Sequence, residues 1–166
     1  MKKISSIFVL IFFFLHGACQ KTGILPYDSD KVVYRDTFNI LDNFSKTVKI
    51  GLGNYASHYN TTVELLQNKM SDYIIYEDSE TIIVNFKFLT NQLMNEALWD
   101  ARATFIKQSD KIICKVDNIH LHDIVVYGVG KANSDAPIEN ADLKKNKKLI
   151  SSVNNQIKIF YKLIKA

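Results

Sequence analysis

The chain has 166 residues, with 21 Lys and Arg against 17 Asp and Glu, a formal charge of +4, and 47% hydrophobic residues. That length suits one domain able to bury a real core, and the charge lacks the strong basic excess of a nucleic-acid binder. Cys19 and Cys114 are the only cysteines, which excludes a disulfide framework.

Met1, Lys2 and Lys3 form a positive start, and Ile4 to Leu15 is apolar apart from Ser5 and Ser6. A membrane-spanning helix needs roughly 20 apolar residues. This run stops at His16-Gly17-Ala18-Cys19, so residues 1–19 read as a secretion signal and not as a permanent span. Gly17-Ala18 directly before a cysteine, with Leu15 upstream, resembles a lipoprotein lipobox and implies lipid attachment at Cys19. The departure is His16, which stands where an aliphatic residue is usual. Ordinary cleavage after Cys19, with Gly17 and Cys19 as the small pair, is the alternative.

Acylation of Cys19 leaves Cys114 without an intrachain partner; without it, a Cys19–Cys114 bridge is open. Loss of Lys2 and Lys3 reduces the basic residues to 19 against 17 acidic ones, a mature charge of about +2. The expected location is the bacterial cell envelope, with the N-terminal lipid anchor as the membrane contact. Gln20 is not the aspartate that argues for inner-membrane retention, so the outer membrane is favoured. Gln20-Lys21 resembles the start of a surface-export signal, but Thr22 and Gly23 lack its acidic run.

Residues 20–30 mix polar side chains with Gly23 and Pro26 and show no sustained period, which reads as a tether. A single domain is expected over residues 31–166. Val32, Tyr34, Phe38 and Ile40 alternate with Arg35, Thr37 and Asn39, the period of a half-buried strand. Ser45 can cap a helix whose stripe is Val48, Leu52, Tyr55, Tyr59, Val63, Leu66 and Met70. Gly51 and Gly53 weaken it and place a break or late start near Asn54; Val63 to Gln67 reads as helix or strand.

Tyr73 to Tyr76 and Thr81 to Leu89 are β-rich runs around the polar tetrad Glu77-Asp78-Ser79-Glu80, which predicts an antiparallel hairpin. Leu98 to Lys107 alternates, with Trp99, Ala101, Ala103 and Phe105 on one face. After Gln108-Ser109-Asp110, a strand from Lys111 to Leu121 holds Ile112, Cys114 and Val116 on one side until Asp117-Asn118 shifts the register as a bulge. Lys131 to Asn140, with Pro137, reads as a polar loop. Ile150, Val153, Ile157, Phe160 and Ile164 then form the stripe of a lysine-rich terminal helix. The order β-α-β-β-β-β-α indicates an α+β fold with helices on one face of an antiparallel sheet. A helix-grip or cystatin-like arrangement shares that pattern and differs in strand count.

The order and the exported start resemble a Bacteroidetes lipoprotein domain of unknown function with a TATA-binding-protein-like fold. The carrying residues are Leu25-Pro26-Tyr27 leading to Lys31-Val32-Val33-Tyr34, Ser45-Lys46, and Ala103 to Lys107 turning through Ser109-Asp110-Lys111 into Ile112 to Asn118. The chain departs from that pattern at a tryptophan in the first helix and at glycines of the third strand. The resemblance implies a curved sheet of about five strands under two helices, and no known activity, so it transfers no catalytic residue. The fold's namesake binds DNA, but fold does not carry function, and no nucleic-acid partner is expected of an exported chain.

His120-x-His122 places two imidazoles on one strand face beside Asp123, a weak candidate for a zinc or copper site, since a closed site takes about four ligands; the expected role is solvent-facing, with no cofactor. Cys114 reads as a small buried hydrophobe. Gly51-x-Gly53 and Gly128-x-Gly130 lack the flanks of a phosphate loop and read as turn or packing positions. No nucleophile elbow, Walker loop or zincin helix is present. Residues 131–166 carry eight lysines against three acidic residues, and this basic stripe suits either a solvated face or anionic headgroups.

Two functions follow. One is a non-enzymatic module that binds a small ligand or a protein through an open sheet face, favoured if aromatics such as Tyr34, Tyr73 and Tyr76 line that face. The other is an envelope hydrolase with an unrecognised site, favoured by a deep pocket of converging titratable groups.

Overall fold

The computed structural model describes residues 24–60, 73–92, 95–126 and 130–166. Cys19, the signal segment, residues 63–67 and Gly128 lie outside the described residues. The elements are β1 (Tyr27–Asp28), β2 (Lys31–Val32), β3 (Tyr34–Asn39), α1 (Phe44–Asn60), β4 (Ile74–Glu77), β5 (Thr81–Gln92), β6 (Asn95–Gln108), β7 (Lys111–Val126), β8 (Gly130–Pro137), α2 (Ala141–Lys145) and α3 (Lys147–Lys165). The class is α+β as expected. The antiparallel sheet has six strands in the order β3-β7-β6-β5-β4, with β8 also on β7, and β1 pairs with β2 apart from it.

Alternation set the two faces. Tyr34, Val116, Ala103 and Val84 are in register across four strands, and all are buried. Their neighbours Arg35, Lys115 and Thr104 form a matching row on the other face. The covered face receives α1 and α3. Phe86 of β5 stacks on Phe160 of α3 with centroids 4.1 Å apart, and Tyr55 of α1 meets the Phe160 ring edge-on at 5.1 Å. At ~1.5–3 kcal/mol for each large apolar side chain buried, this aromatic layer is a main source of stability. The only tryptophan, Trp99, is fully buried, and its Nε1 donates to Thr90 Oγ1 at 2.9 Å, so its polar atom is satisfied.

Four expectations are corrected. The tether ends earlier than residue 30: Leu25 is in the core, and Tyr27–Asp28 pairs with Lys31–Val32. Leu25 is apolar enough to repay ordering that short stretch. Helix α1 runs without a break through Gly51 and Gly53, because packing outweighs their low propensity. Its cap is Asn43, whose Oδ1 accepts from Lys46 N at 2.7 Å; Ser45 Oγ instead donates to Glu77 Oε1 of β4 at 2.6 Å. The polar loop from Lys131 is mostly strand β8, which raises the strand count above five.

The expected hairpins form. Asp78 Oδ1 accepts from Glu80 N and Thr81 N at 2.8 and 2.6 Å, closing the β4–β5 turn. Ser109, with φ of 56°, turns β6 into β7.

Candidate functional site

β7 is 16 residues long and has two partners on one edge. Its first part, Lys111 to Val116, pairs with β3, and its second part, His120 to Val126, pairs with β8. Between them the strand bulges: Asp100 faces His120 while Arg102 faces Asp117, so β7 uses one more residue than β6 over that interval. Asn118 absorbs the extra residue with φ of 50°, a conformation asparagine tolerates better than most residues. The bulge thus falls where the sequence alternation breaks.

A cleft of about 420 Å³ opens at this change of partner. It is lined by Asp30 and Lys31 from the β1–β2 hairpin, Arg102 of β6, Asp117, Asn118 and His120 of β7, Pro137 at the end of β8, and Glu139 beyond it. Most of these groups are occupied. Glu139 Oε1 accepts from Val32 N at 2.7 Å, which ties β2 to the segment just beyond β8. Lys115 Nζ stands 2.6 Å from Asp117 Oδ2. His120 Nε2 is 3.1 Å from Asn118 Oδ1, and its Nδ1 is 3.3 Å from Asp135 Oδ1. Among the described residues, Arg102 makes no ion pair or side-chain hydrogen bond and is exposed. With Asp117 and Glu139 engaged, Arg102, which lines the same cleft as Lys31, is the fork available to a planar anion such as a carboxylate.

His120 and His122 both lie on the open face, but they engage different groups. His122 Nδ1 is 3.0 Å from Asp100 Oδ2, and Asp100 Oδ1 is 3.5 Å from Lys87 Nζ. Among the described residues, no three His, Cys, Asp or Glu side chains are arranged to hold a metal ion.

Cys114 is fully buried on β7, and burial, helped by the nearby Asp36 carboxylate, pushes its thiol well up. Such a thiol is a core residue and a poor nucleophile. Tyr34 and Tyr73 are in the core, while Tyr76 is 48% exposed and donates to Asp78 Oδ2 at 2.5 Å. The open face carries Arg35, Lys87, Asp100, Arg102, Lys115 and the two histidines together with Ile83, Ile106 and Tyr76, which faces Ile83, while Tyr34 and Tyr73 are withdrawn into the core.

Sequence reading missed Arg102, Lys31 and Glu139. Arg102 looked like any solvent position of an alternating strand. The available signal was the break at Asp117-Asn118 inside an unusually long strand, since a bulge re-aims the side chains around it.

No family model matches the chain. Among solved structures, a TBP-like protein from Parabacteroides distasonis ATCC 8503 is similar over 84% of this chain and 96% of its own, with 13% identity and a TM-score of 0.52. A DUF4468 family protein from Bacteroides ovatus ATCC 8483 aligns over 84% of this chain and 89% of its own, with 12% identity and a TM-score of 0.45. The first likeness shows a TBP-like fold, and at such identity the fold alone.

Proposed function

We propose that the chain is a lipid-anchored module of the cell envelope that binds, without catalysis, a small carboxylate-bearing ligand or an acidic side chain of a partner protein in the cleft at the β7 bulge. The observation that carries this reading is Arg102, an exposed guanidinium without an ion pair among the described residues, in a cleft whose neighbouring carboxylates Asp117 and Glu139 are already engaged. Asp30, on the same lining, supplies a counter-charge for an ammonium group, so an amino-acid-like zwitterion fits the distribution best. The hydrolase alternative lacks a comparable observation: among the described residues that line the cleft there is no serine, threonine or cysteine beside His120.

Lipid anchoring rests on Gly17-Ala18-Cys19 and the apolar run before it. Mass spectrometry of the mature N-terminus tests it: an acylated Cys19 supports the anchor, and a start at Gln20 or an unmodified Cys19 removes it. The cleft is tested by NMR titration with free glutamate as the probe. Saturable shifts at Arg102, Asn118 and His120 that vanish in Arg102→Gln support the site. Shifts spread over the surface, or unchanged in the variant, overturn it.

A further inference from the structure

We infer that the lysine-bearing side of α3 is the face this domain turns toward an anionic membrane surface. The inference rests on the Cys19 anchor proposed above and adds the orientation in which that anchor holds the domain.

The first observation is where the chain enters the fold. Asn154, 3% exposed in the middle of α3, donates from Nδ2 to the carbonyl oxygen of Ile24 at 3.2 Å. The first described residue is therefore fastened to the flank of this helix. Cys19 is five chain steps before Ile24, a reach of at most about 17 Å at full extension. An acyl chain on Cys19 would keep the flank of α3 within that distance of the headgroups. Ile24 itself is 58% exposed at this point of entry.

The second observation is what that flank carries. Lys158 follows Asn154 by one helical turn and Lys147 precedes it by two, so the helix repeat places both beside the entry point. Lys148 and Lys162 continue the exposed arc away from the buried stripe of Ile150, Val153, Ile157 and Phe160. Helix α1 lies on the other flank, where Asn54 Nδ2 donates to Leu163 O at 3.4 Å, and leaves the arc uncovered. No acidic side chain occurs anywhere in α3. Lys165 is engaged elsewhere, 2.6 Å from Asp36 Oδ2. A short tether and a helix flank that bears lysines and no acidic residue of its own together suit a bilayer carrying negative headgroups.

The experiment uses the full mature lipoprotein reconstituted into vesicles of phosphatidylcholine alone or with one part in three of phosphatidylglycerol. Lysine acetylation is read site by site by mass spectrometry. The expected result is a loss of reactivity of about threefold or more at Lys147, Lys148, Lys158 and Lys162 in the anionic vesicles only. It should be reversed at about 0.5 M salt, where the screening length falls to ~4 Å. Lys87 and Lys115, on the opposite sheet face, should not change. Acylated protein whose α3 lysines react equally in both vesicles overturns the orientation and leaves the anchor standing. A mature chain without acylation overturns both.

Discussion

A Cβ built on Gly51 of α1 would stand 2.5 Å from the carbonyl oxygen and 2.8 Å from the Cα of Ile164 in α3. The two helix backbones touch there, and no side-chain adjustment can relieve a clash with backbone. Alanine favours a helix interior over glycine by ~1 kcal/mol, but forcing the helices apart costs about 1–3 kcal/mol or more. Gly51→Ala is therefore expected to lower stability, by up to about 2 kcal/mol, in chemical denaturation. A variant more stable than the parent would show that the helices separate freely.

Asn154 also accepts the hydroxyl of Tyr34, a buried residue whose ionisation is pushed up by burial. Asn154→Leu strands that hydroxyl and releases Ile24, at a cost of about 2 kcal/mol. Tyr34→Phe together with Asn154→Leu should be less damaging than Asn154→Leu alone, because removing both partners leaves no unpaired hydroxyl. A double-mutant cycle with no coupling between the two positions would contradict the pairing.

Glu77 joins β4 to α1 through Lys49 at 2.8 Å and the Ser45 hydroxyl at 2.6 Å. Lys49, then Ser45, holds its carboxyl below the ordinary value of 4.5. A depressed carboxylate contributes stability that is complete above its unfolded value and is lost as pH falls through its folded one. Acidification below that ordinary value should weaken the α1–β4 contact. In Glu77→Gln, the pH dependence of the denaturation midpoint over this acid range should be shallower than in the parent.

Cys114 is fully buried, so a thiol reagent should label it only after opening of the sheet. Native mature protein is expected to show no fast thiol and to yield one reactive cysteine on denaturation. Rapid labelling of Cys114 under native conditions would mean that β7 is far less securely held than its long pairing with β6 implies.

The buried rows Ile112, Cys114, Val116 and Ala101, Ala103, Phe105 were legible in the sequence, because an alternating strand can place its apolar half in only one direction. The same held for the stripe of α3 and for the break at Asp117-Asn118. β8 was not legible. Gly130–Pro137 has no apolar alternation, and its pairing with β7 comes from main-chain hydrogen bonds that any sequence can make. Asn43, and not Ser45, caps α1 because the helix already begins at Phe44, which puts Ser45 inside its first turn, where its hydroxyl reaches Glu77 instead.

By itself the sequence determined the α+β class, the two amphipathic helices, the central strands and the expectation of export, all of which depend on local charge and periodicity. The tertiary structure alone decided that Arg102 and Lys31, 71 positions apart, line one cleft, and that Ile24 is fastened to Asn154 beside the lysines of α3. These relationships depend on where β7 exchanges β3 for β8 and where α3 crosses the chain's entry. Contacts between distant segments are settled by packing, which leaves no periodic trace along the chain.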